Sequence, residues 1–269
     1  MRPVVTAAEM RAAEARTFAA EPGVDLMGRA AGEVARVAAT IVAEGPVLVV
    51  AGPGNNGGDG LFAAALLAQR RAVAVWCVVG SAHEAGLAAA RAAGCQVLEA
   101  VAAVEALAEC ALVIDAFTGL GSRPGLPPLV ETVADACADL SVPVLSVDLP
   151  SGLDADSGAP HSSFRAAHTV TFAALKPCHV QEPAASRCCR LHVVDIGVEA
   201  GSPLLHQAEV ADVARWWPAP TPTSDKYTRG VVMIDTGSDQ YQGAAILGVS
   251  GACTRGRAWC ATPGAWPPG

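Results

Sequence analysis

The sequence predicts an α/β fold in which a mostly parallel sheet lies between two layers of helices. Short apolar runs alternate with helix-forming runs between residues 47 and 195, and this alternation is typical of parallel sheets. A segment with five glycines, Gly52–Gly60, joins the first of these apolar runs directly to a helix-forming run. Two later apolar runs end in a carboxylate, Asp115 and Asp148. Together these features predict a ligand site at the carboxyl ends of the strands.

Two helices are predicted before the first strand of the sheet. Thr6 and Glu9 have the spacing of a capping box and open a helix that continues through Arg16. A break over residues 21–23 separates it from a second helix, over about 24–43, whose apolar residues recur at helical spacing. We interpret this pair as packing on the sheet or on a second subunit.

Strands and helices then follow each other in turn. Helices are predicted at 59–71, 84–93, 101–108 and 129–140. Strands are predicted at 47–51, 72–79, 96–98, 111–115, 142–148, 168–173 and 191–195. The carboxyl ends of these strands select the glycine-rich segment, Asp115 with its loop and Asp148 with its loop.

Composition divides the chain into three parts and excludes several partners. Residues 215–227 are rich in proline and are predicted to form a linker. A first domain over 1–214 precedes it, and a strand-like run with a helix-like run at 244–247 follows within 228–269. The net charge of -8 argues against general binding of nucleic acid or anionic membranes.

The expected location is the cytoplasm. Apolar runs are too short for a transmembrane helix, and the first residues lack the apolar core of a signal peptide. Nine cysteines without C-x-x-C spacing suit buried thiols in a reducing compartment.

The glycine-rich segment fits two known nucleotide motifs only in part. Gly52, Gly54 and Gly57 match the dinucleotide fingerprint, but no acidic residue for the ribose follows about 20 positions later. The spacing of Gly52 and Gly57 also matches a P-loop, yet Gly58 and Asp59 stand where Lys and Ser/Thr are required. The segment is therefore expected to meet a nucleotide, but neither as a usual NAD fingerprint nor to cleave ATP.

The strand-end carboxylates have a structural and a functional interpretation. Asp115 or Asp148 alone could simply cap the turn that follows it, and Asp59 could be a favourable acid in a first helical turn. A carboxylate at the end of an apolar strand is nevertheless costly to bury unless it is paired or liganded. Two of them beside a glycine-rich segment favour a site.

Four motifs in order resemble the NAD(P)H-hydrate epimerase family, the YjeF N-terminal domain family. The resemblance extends from Glu9 to Gly197. The motifs are Gly-Pro-Gly-Asn-Asn-Gly-Gly-Asp-Gly (52–60), Asp-Ala-Phe-Thr-Gly-Leu-Gly (115–121), Val-Asp-Leu-Pro-Ser-Gly-Leu-Asp (147–154) and Thr-Val-Thr-Phe-Ala-Ala-Leu-Lys-Pro (169–177). One departure is Gly28, which stands where the family usually has Glu; an interior helical glycine costs about 1 kcal/mol relative to alanine.

The resemblance implies a Rossmann-like three-layer sandwich, a homodimer, and interconversion of the R and S epimers of hydrated NADH and NADPH. It implies a potassium ion held by Asn56, Asp115 and Ser151, whose oxygen atoms suit a hard cation. The implied substrate contacts are Asn55, Asn56, Gly57, Gly58, Asp59, Gly119, Leu120, Gly121, Ser122, Arg123, Pro124, Gly125 and Asp148. Glycines 57, 58, 119 and 121 are expected to let the backbone approach the ligand closely.

Asp148 is the residue expected to carry the catalytic proton. The reaction inverts one hydroxyl-bearing carbon of the reduced, hydrated nicotinamide ring. The ring nitrogen can open that carbinolamine, and a proton must then leave or reach the hydroxyl oxygen. A positioned carboxylate can carry it, and Asp148 ends a strand at the predicted ligand face.

The C-terminal part has a resemblance of its own. Residues 226–230 and 237–245 are similar to the opening of an ADP-dependent NAD(P)H-hydrate dehydratase domain. The catalytic glycine-rich region of that domain lies far downstream, so dehydratase activity is expected to be absent and 228–269 are expected to be a truncated fragment.

Two other functions remain open for the first domain. A non-catalytic binding or scaffold module is one, because similar folds occur in mRNA-decapping scaffolds, but such modules need not keep the site residues present here. An NAD dehydrogenase is the other, and it lacks the ribose acid and an evident hydride-site histidine.

Overall fold

The centre of the molecule is a seven-stranded parallel sheet, which confirms the predicted α/β class. The computed structural model describes residues 1–78, 81–121, 123–159, 161–216, 219, 221–225, 232–238, 240–254 and 260–261. Its strands are β1 (Arg2–Val4), β2 (Val47–Ala51), β3 (Val73–Cys77), β4 (Gln96–Leu98), β5 (Leu112–Ala116), β6 (Val144–Val147), β7 (His168–Phe172), β8 (Arg190–Val194), β9 (Leu205–Gln207), β10 (Val232–Met233) and β11 (Cys260–Ala261).

The helices follow the strands as the alternation predicts. They are α1 (Ala7–Ala20), α2 (Leu26–Ile41), α3 (Asn55–Leu67), α4 (Glu84–Ala92), α5 (Ala100–Ala106), α6 (Pro128–Asp139), α7 (Ala185–Cys188), α8 (Val210–Trp216) and α9 (Gln242–Thr254). Short 3₁₀ turns cover Leu107–Glu109 and Pro177–His179. The chain divides into two compact units, Met1–Gln207 and Ala208–Gly269.

Strand β2 shows how the sheet separates two helical layers. Val47 and Val49 are buried in a cluster that contains α2 and α3, whereas Leu48 and Val50 are buried in a cluster that contains α5 and α6. Successive side chains of a strand point to opposite faces, so one apolar run supplies both cores. The result is the predicted three-layer sandwich.

The strand order places a ligand site at β2 and β5. The order is β4-β3-β2-β5-β6-β7-β8, so the chain builds outward from β2 in one direction and from β5 in the other. At such a reversal the loops after the two central strands leave toward opposite faces and open a crevice between them. The motif loops after β2, β5 and β6 therefore meet at one edge.

Several element boundaries differ from the sequence predictions. Helix α3 begins at Asn55, four residues before the predicted start at 59, because the segment after Gly54 is already helical. Gly28 is not an interior helical residue: it lies in the first turn of α2, where its N–H donates to the Asp25 cap at 2.8 Å. A methyl group on Gly28 would lie 2.1 Å from the Asp25 carboxylate, so this cap favours glycine there. The antiparallel pair of β1 and β9 was not predicted.

The second unit contains α8, α9 and a two-residue parallel pairing of β10 with β11. Helix α8 extends through residue 216, into the predicted linker, and α9 is longer than the helix-like run at 244–247. Residues 226–230, which carry half of the C-terminal resemblance, lie outside the described residues. Among the described residues no helix is long and apolar enough to cross a membrane.

Candidate active site

A cleft of about 370 Å³ lies at the carboxyl ends of the central strands, where the strand order predicts a site. Its walls come from α1, the loop into α3, the loop after β5, and the ends of β6 and β7. The residues that line it are Arg11, Glu14, Pro53, Gly54, Asn55, Asn56, Asp59, Phe117, Thr118, Gly119, Leu120, Gly121, Asp148, Phe172 and Lys176.

The N-terminus of α3 opens into this cleft. Gly54 is the N-cap and provides no side-chain hydrogen bond to the first turn, so the first amide groups have no cap from within the helix. Asn55 and Asn56 occupy that first turn and both line the cleft. A helix start of this kind attracts an anionic group.

Three glycines let α3 start against β5. A methyl group on Gly52 would lie 1.8 Å from the carbonyl oxygen of Phe117, and one on Gly57 would lie 1.9 Å from the carbonyl oxygen of Gly52. One on Gly60 would lie 2.4 Å from the Ala116 methyl. These glycines are required because protein backbone and side chains occupy the space that a side chain would need.

Packing within the protein already accounts for Gly57 and Gly58, and their approach to a ligand stays a prediction. Neither lines the cleft, and a methyl group on Gly58 would meet Met27 at 2.9 Å. Gly119 and Gly121 do line the cleft, but their missing side chains make room for protein too. A methyl group would lie 3.0 Å from Asn56 Oδ1 at Gly119, and would overlap the Arg11 guanidinium at Gly121.

Asp115 lies beneath the cleft and is completely buried. Its carboxylate accepts hydrogen bonds from Ser151 N at 2.8 Å, Ser151 Oγ at 2.5 Å and Ser146 Oγ at 2.7 Å. Burial raises the pKa of Asp115 to about 6, and these hydrogen bonds oppose the rise. The hydrogen bonds also tie β5, β6 and the loop after β6 together.

The surroundings of Asp115 fit a hard cation. Ser151 Oγ lies 3.1 Å from the carbonyl oxygen of Thr118, and the Asn56 side chain lies against Gly119 in the same loop. Asn56 Nδ2 and Thr118 Oγ1 are buried polar atoms without a hydrogen-bond partner in the structure, which is costly unless something else binds there. Carboxylate, hydroxyl, amide and carbonyl oxygens are the donors that hard cations prefer. Among the described residues, no cluster of three His, Cys, Asp or Glu side chains could hold a metal ion.

Asp148 is held by a buried lysine that the sequence analysis did not select. Lys176 is 1 % exposed, and its ammonium donates to Asp148 Oδ1 at 2.6 Å, Thr171 Oγ1 at 2.8 Å and the Phe172 carbonyl at 3.4 Å. Thr171 Oγ1 also donates to Asp148 Oδ1 at 3.1 Å. These charge-assisted hydrogen bonds fix the Asp148 carboxylate in place.

The backbone at Asp148 is also unusual. Its φ of 66° lies in the left-handed region, which non-glycine residues adopt at some cost in free energy. His179 holds this conformation, because its Nε2 lies 3.0 Å from the Asp148 carbonyl while its Nδ1 accepts the Lys176 N–H at 3.0 Å. Since Nδ1 accepts, Nε2 carries the proton and donates to the carbonyl. One imidazole thus fixes the backbones of both members of the ion pair.

Two more carboxyl groups face Asp148 across the cleft. Burial raises the pKa of Asp59 to about 8, and the charges of Asp148 and Glu14 contribute to that rise. Burial and the charge of Asp148 raise the pKa of Glu14, whereas Lys176 and Arg11 lower it. Each ionised carboxylate therefore makes ionisation of the next one less favourable.

The structure brings part of the predicted site together. Asn55, Asn56, Asp59, Gly119, Leu120, Gly121 and Asp148 line the cleft, and Asp115 and Ser151 lie together beneath it. Gly57, Gly58, Arg123, Pro124 and Gly125 do not line it, and Ser122 lies outside the described residues. The sequence analysis missed Arg11, Glu14, Phe172 and Lys176. Lys176 was in a quoted motif, whereas nothing local marked the two charged residues of α1.

Comparisons with known proteins agree on one family. A family model described as YjeF-related protein N-terminus matches residues 23–178. An NAD(P)H-hydrate epimerase from Microbacterium testaceum is 41% identical, over 79% of this chain and 86% of the relative. Another, from Clavibacter michiganensis, is 38% identical, over 75% of this chain and 94% of the relative.

Longer relatives match as well. The bifunctional NAD(P)H-hydrate repair enzyme Nnr of Mycobacterium tuberculosis is 38% identical over 98% of this chain, which spans only 55% of that relative. Among solved structures, yeast YNL200c matches with a TM-score of 0.60 and 21% identity, over 75% of this chain and 96% of the yeast chain. That structure supports the fold described above.

Proposed function

Since the chain belongs to the family of YjeF-related protein N-termini, we propose that it interconverts the R and S epimers of hydrated NADH and NADPH. The observation that supports this best is the Lys176–Asp148 ion pair at a cleft beside the N-terminus of α3. This ion pair holds a carboxylate in a cleft that also contains the N-terminus of α3, and a helix N-terminus suits a phosphate. Two relatives that carry the name epimerase match 75% and 79% of this chain.

The proposed substrate suits the positive charge of Arg11 and the carboxylate of Asp148, which both line the cleft. Its pyrophosphate would meet the first turn of α3 and the Arg11 guanidinium, which both line the cleft. Its hydrated nicotinamide ring would then lie toward Asp148 and Phe172. Gly57, Gly58 and residues 122–125 stay predicted contacts of the substrate.

The chemistry requires a proton at a defined oxygen atom. As the lone pair of the ring nitrogen expels the hydroxyl group from its carbon, the departing oxygen must gain a proton, and the water that returns to the carbon must lose one. A positioned carboxylate can carry such a proton. We assign that carboxylate to Asp148. General acid–base catalysis of this kind contributes about 10²–10⁴ in rate.

We assign Asn56, Asp115 and Ser151 to a bound potassium ion, to which Thr118 can add a carbonyl oxygen. The buried Thr118 Oγ1, which has no hydrogen-bond partner among the described residues, supports the assignment. When bound, the cation would supply positive charge beneath the pyrophosphate and beside the buried Asp115 carboxylate. We further propose that the protein acts in the cytoplasm as a homodimer.

The test is re-equilibration of an unequal mixture of the two epimers, followed by chromatography. We expect the protein to accelerate it, more strongly in potassium chloride than in tetramethylammonium chloride at equal ionic strength. Asp148→Ala should lower the rate about 100-fold or more, while Asp135→Asn, which changes an exposed carboxylate on α6, should not.

The outcomes distinguish a wrong function from a wrong assignment of the catalytic residue. If the wild-type protein gave no acceleration with either salt, the epimerase activity would be rejected and a scaffold role favoured. If Asp148→Ala kept the wild-type rate, only the role of Asp148 would be wrong. A potassium-dependent rise in melting temperature that Ser151→Ala abolishes would test the ion site without any activity measurement.

A further inference from the structure

The two carboxyl groups nearest the proposed reaction differ in their partners. Asp148 receives two donors, Lys176 Nζ and Thr171 Oγ1. Since Lys176 uses its ammonium protons on Asp148, Thr171 and Phe172, it has none left to offer a substrate. Asp148 is therefore held in a fixed position by donors, which suits it to accept a proton from a water molecule in the cleft.

Asp59 has the opposite surroundings. No described residue forms a salt bridge or a side-chain hydrogen bond with its carboxyl group, although it lines the cleft. It follows β2, whereas Asp148 follows β6, and β5 lies between these strands. Both residues line the cleft, Asp59 from the second turn of α3 and Asp148 from the end of β6.

We propose that Asp59 is a second catalytic residue. In one direction it is the general acid that protonates the departing hydroxyl group, while Asp148 is the base that acts on the opposite face of the ring, and in the reverse direction the two residues exchange roles. This inference rests on the proposed epimerase function and deepens it. Two carboxyl groups with different surroundings in one cleft can divide the acid and base roles between them.

The atoms balance as follows. The lone pair of the ring nitrogen forms a C=N bond as the bond between carbon and hydroxyl oxygen breaks, and the Asp59 proton converts the departing hydroxyl to water. A second water then attacks the same carbon from the other face, the C=N pair returns to nitrogen, and Asp148 takes one proton of that water. One water leaves, one enters, and the proton gained by Asp148 returns to Asp59 through solvent after release.

The charges around Asp59 support this division. Burial together with Asp148 and Glu14 raises the pKa of Asp59 to about 8, so the acid form persists at neutral pH. Arg11 and Glu14 from α1, and Lys176 after β7, line the same cleft. His83, at the start of α4, packs on the far side of α3 against Gly58. Of these groups, only Lys176 and Arg11 would favour ionised Asp59, and Lys176 is already bound to Asp148.

An isotope experiment tests the bond that breaks. Epimerisation in water enriched in ¹⁸O should place one ¹⁸O atom in each molecule that the enzyme inverts, after subtraction of the reaction without enzyme. Mass spectrometry of the epimer formed at early times measures this. Enzymatic inversion without ¹⁸O above the background would mean that the ring C–N bond opens instead, and would overturn the proposal.

A variant tests the residue. Asp59→Asn should lower kcat about 100-fold or more while binding of a non-hydrated dinucleotide changes less than threefold. For the wild-type protein, kcat/KM should fall tenfold per pH unit above about 8, and this fall should be missing from the residual activity of Asp59→Asn. Asp135→Asn should keep both the rate and the pH profile.

Each outcome has a separate meaning. An active wild-type protein with a fully active Asp59→Asn variant would overturn the role of Asp59 and leave the epimerase function standing. A lowered kcat with an unchanged alkaline fall would assign Asp59 to structure, and would also overturn the proposal. If the wild-type protein did not accelerate epimerisation, the proposed function itself would fail first.

Discussion

Replacement of Asp59 by asparagine should stabilise the folded protein, and the gain should grow with pH. The pKa of Asp59 is raised from 3.8 to about 8 in the folded state. Between these values the folded protein binds a proton that the unfolded chain does not bind, so the free energy of unfolding falls as pH rises. An asparagine side chain has nearly the same shape but does not ionise, so this loss of stability would disappear in the variant.

The size of the effect follows from the difference between the pKa values of Asp59 in the folded and unfolded states. A shift of one pKa unit corresponds to about 1.4 kcal/mol, so about four units give a ceiling near 6 kcal/mol. Asp59 is partly exposed in the cleft, where solvent screens the charge of Asp148. We therefore expect a gain of about 2 kcal/mol at pH 8, and almost none at pH 4.

Urea denaturation of the wild-type and Asp59→Asn proteins at several values between pH 4 and pH 9 measures the gain. Asp135→Asn serves as the control, because it removes an exposed carboxylate from the same unit. The free energy of unfolding of this control should change with pH in the same way as that of the wild-type protein. If the free energy of unfolding of Asp59→Asn also changed with pH as in the wild-type protein, ionisation of Asp59 would not oppose folding and the argument from burial would be refuted.

Two further substitutions test the framework around the site. Lys176→Met leaves the Asp148 carboxylate buried without its ammonium partner, so it should lower the free energy of unfolding by about 3–5 kcal/mol in urea denaturation. Adding Asp148→Asn to Lys176→Met should recover part of that loss. If the effects of the two substitutions were additive, the pairing would be contradicted. Gly52→Ala should destabilise the protein by several kcal/mol because its methyl group overlaps the Phe117 carbonyl. Gly54→Ala, whose methyl group meets nothing within 4 Å, should change stability by less than about 1 kcal/mol. Equal shifts of the melting temperature in the two variants would contradict the view that the Phe117 carbonyl requires glycine at position 52.

The fold could be predicted because its signals are local and agree with each other. The central strands β2, β5 and β6 are apolar runs whose two faces are both buried. Alternation with helices then fixes a parallel sheet. The pairing of β1 with β9 joins residues about 200 positions apart, and neither strand belongs to the alternation of strands and helices that predicts the sheet.

The site was predictable only where a residue follows a strand. Asp115 and Asp148 come at strand ends, so the topology alone brings them to one edge. Arg11 and Glu14 reach the same cleft from a helix that precedes the sheet. Their positions depend on how α1 packs, which no spacing in the sequence encodes. Gly57 and Gly58 show that a glycine pattern has two sources, since packing alone already requires small residues there.

The ion pair explains why one strand end carries so much of the site. Lys176 is buried and supplies a fixed charge 2.6 Å from Asp148 Oδ1. The lysine also lowers the pKa of Glu14, whereas burial, Asp148 and Glu14 raise the pKa of Asp59. Because the ammonium protons of Lys176 are bound to Asp148, Thr171 and Phe172, the lysine has none to donate to the substrate, and the proposed reaction therefore takes its proton from Asp59.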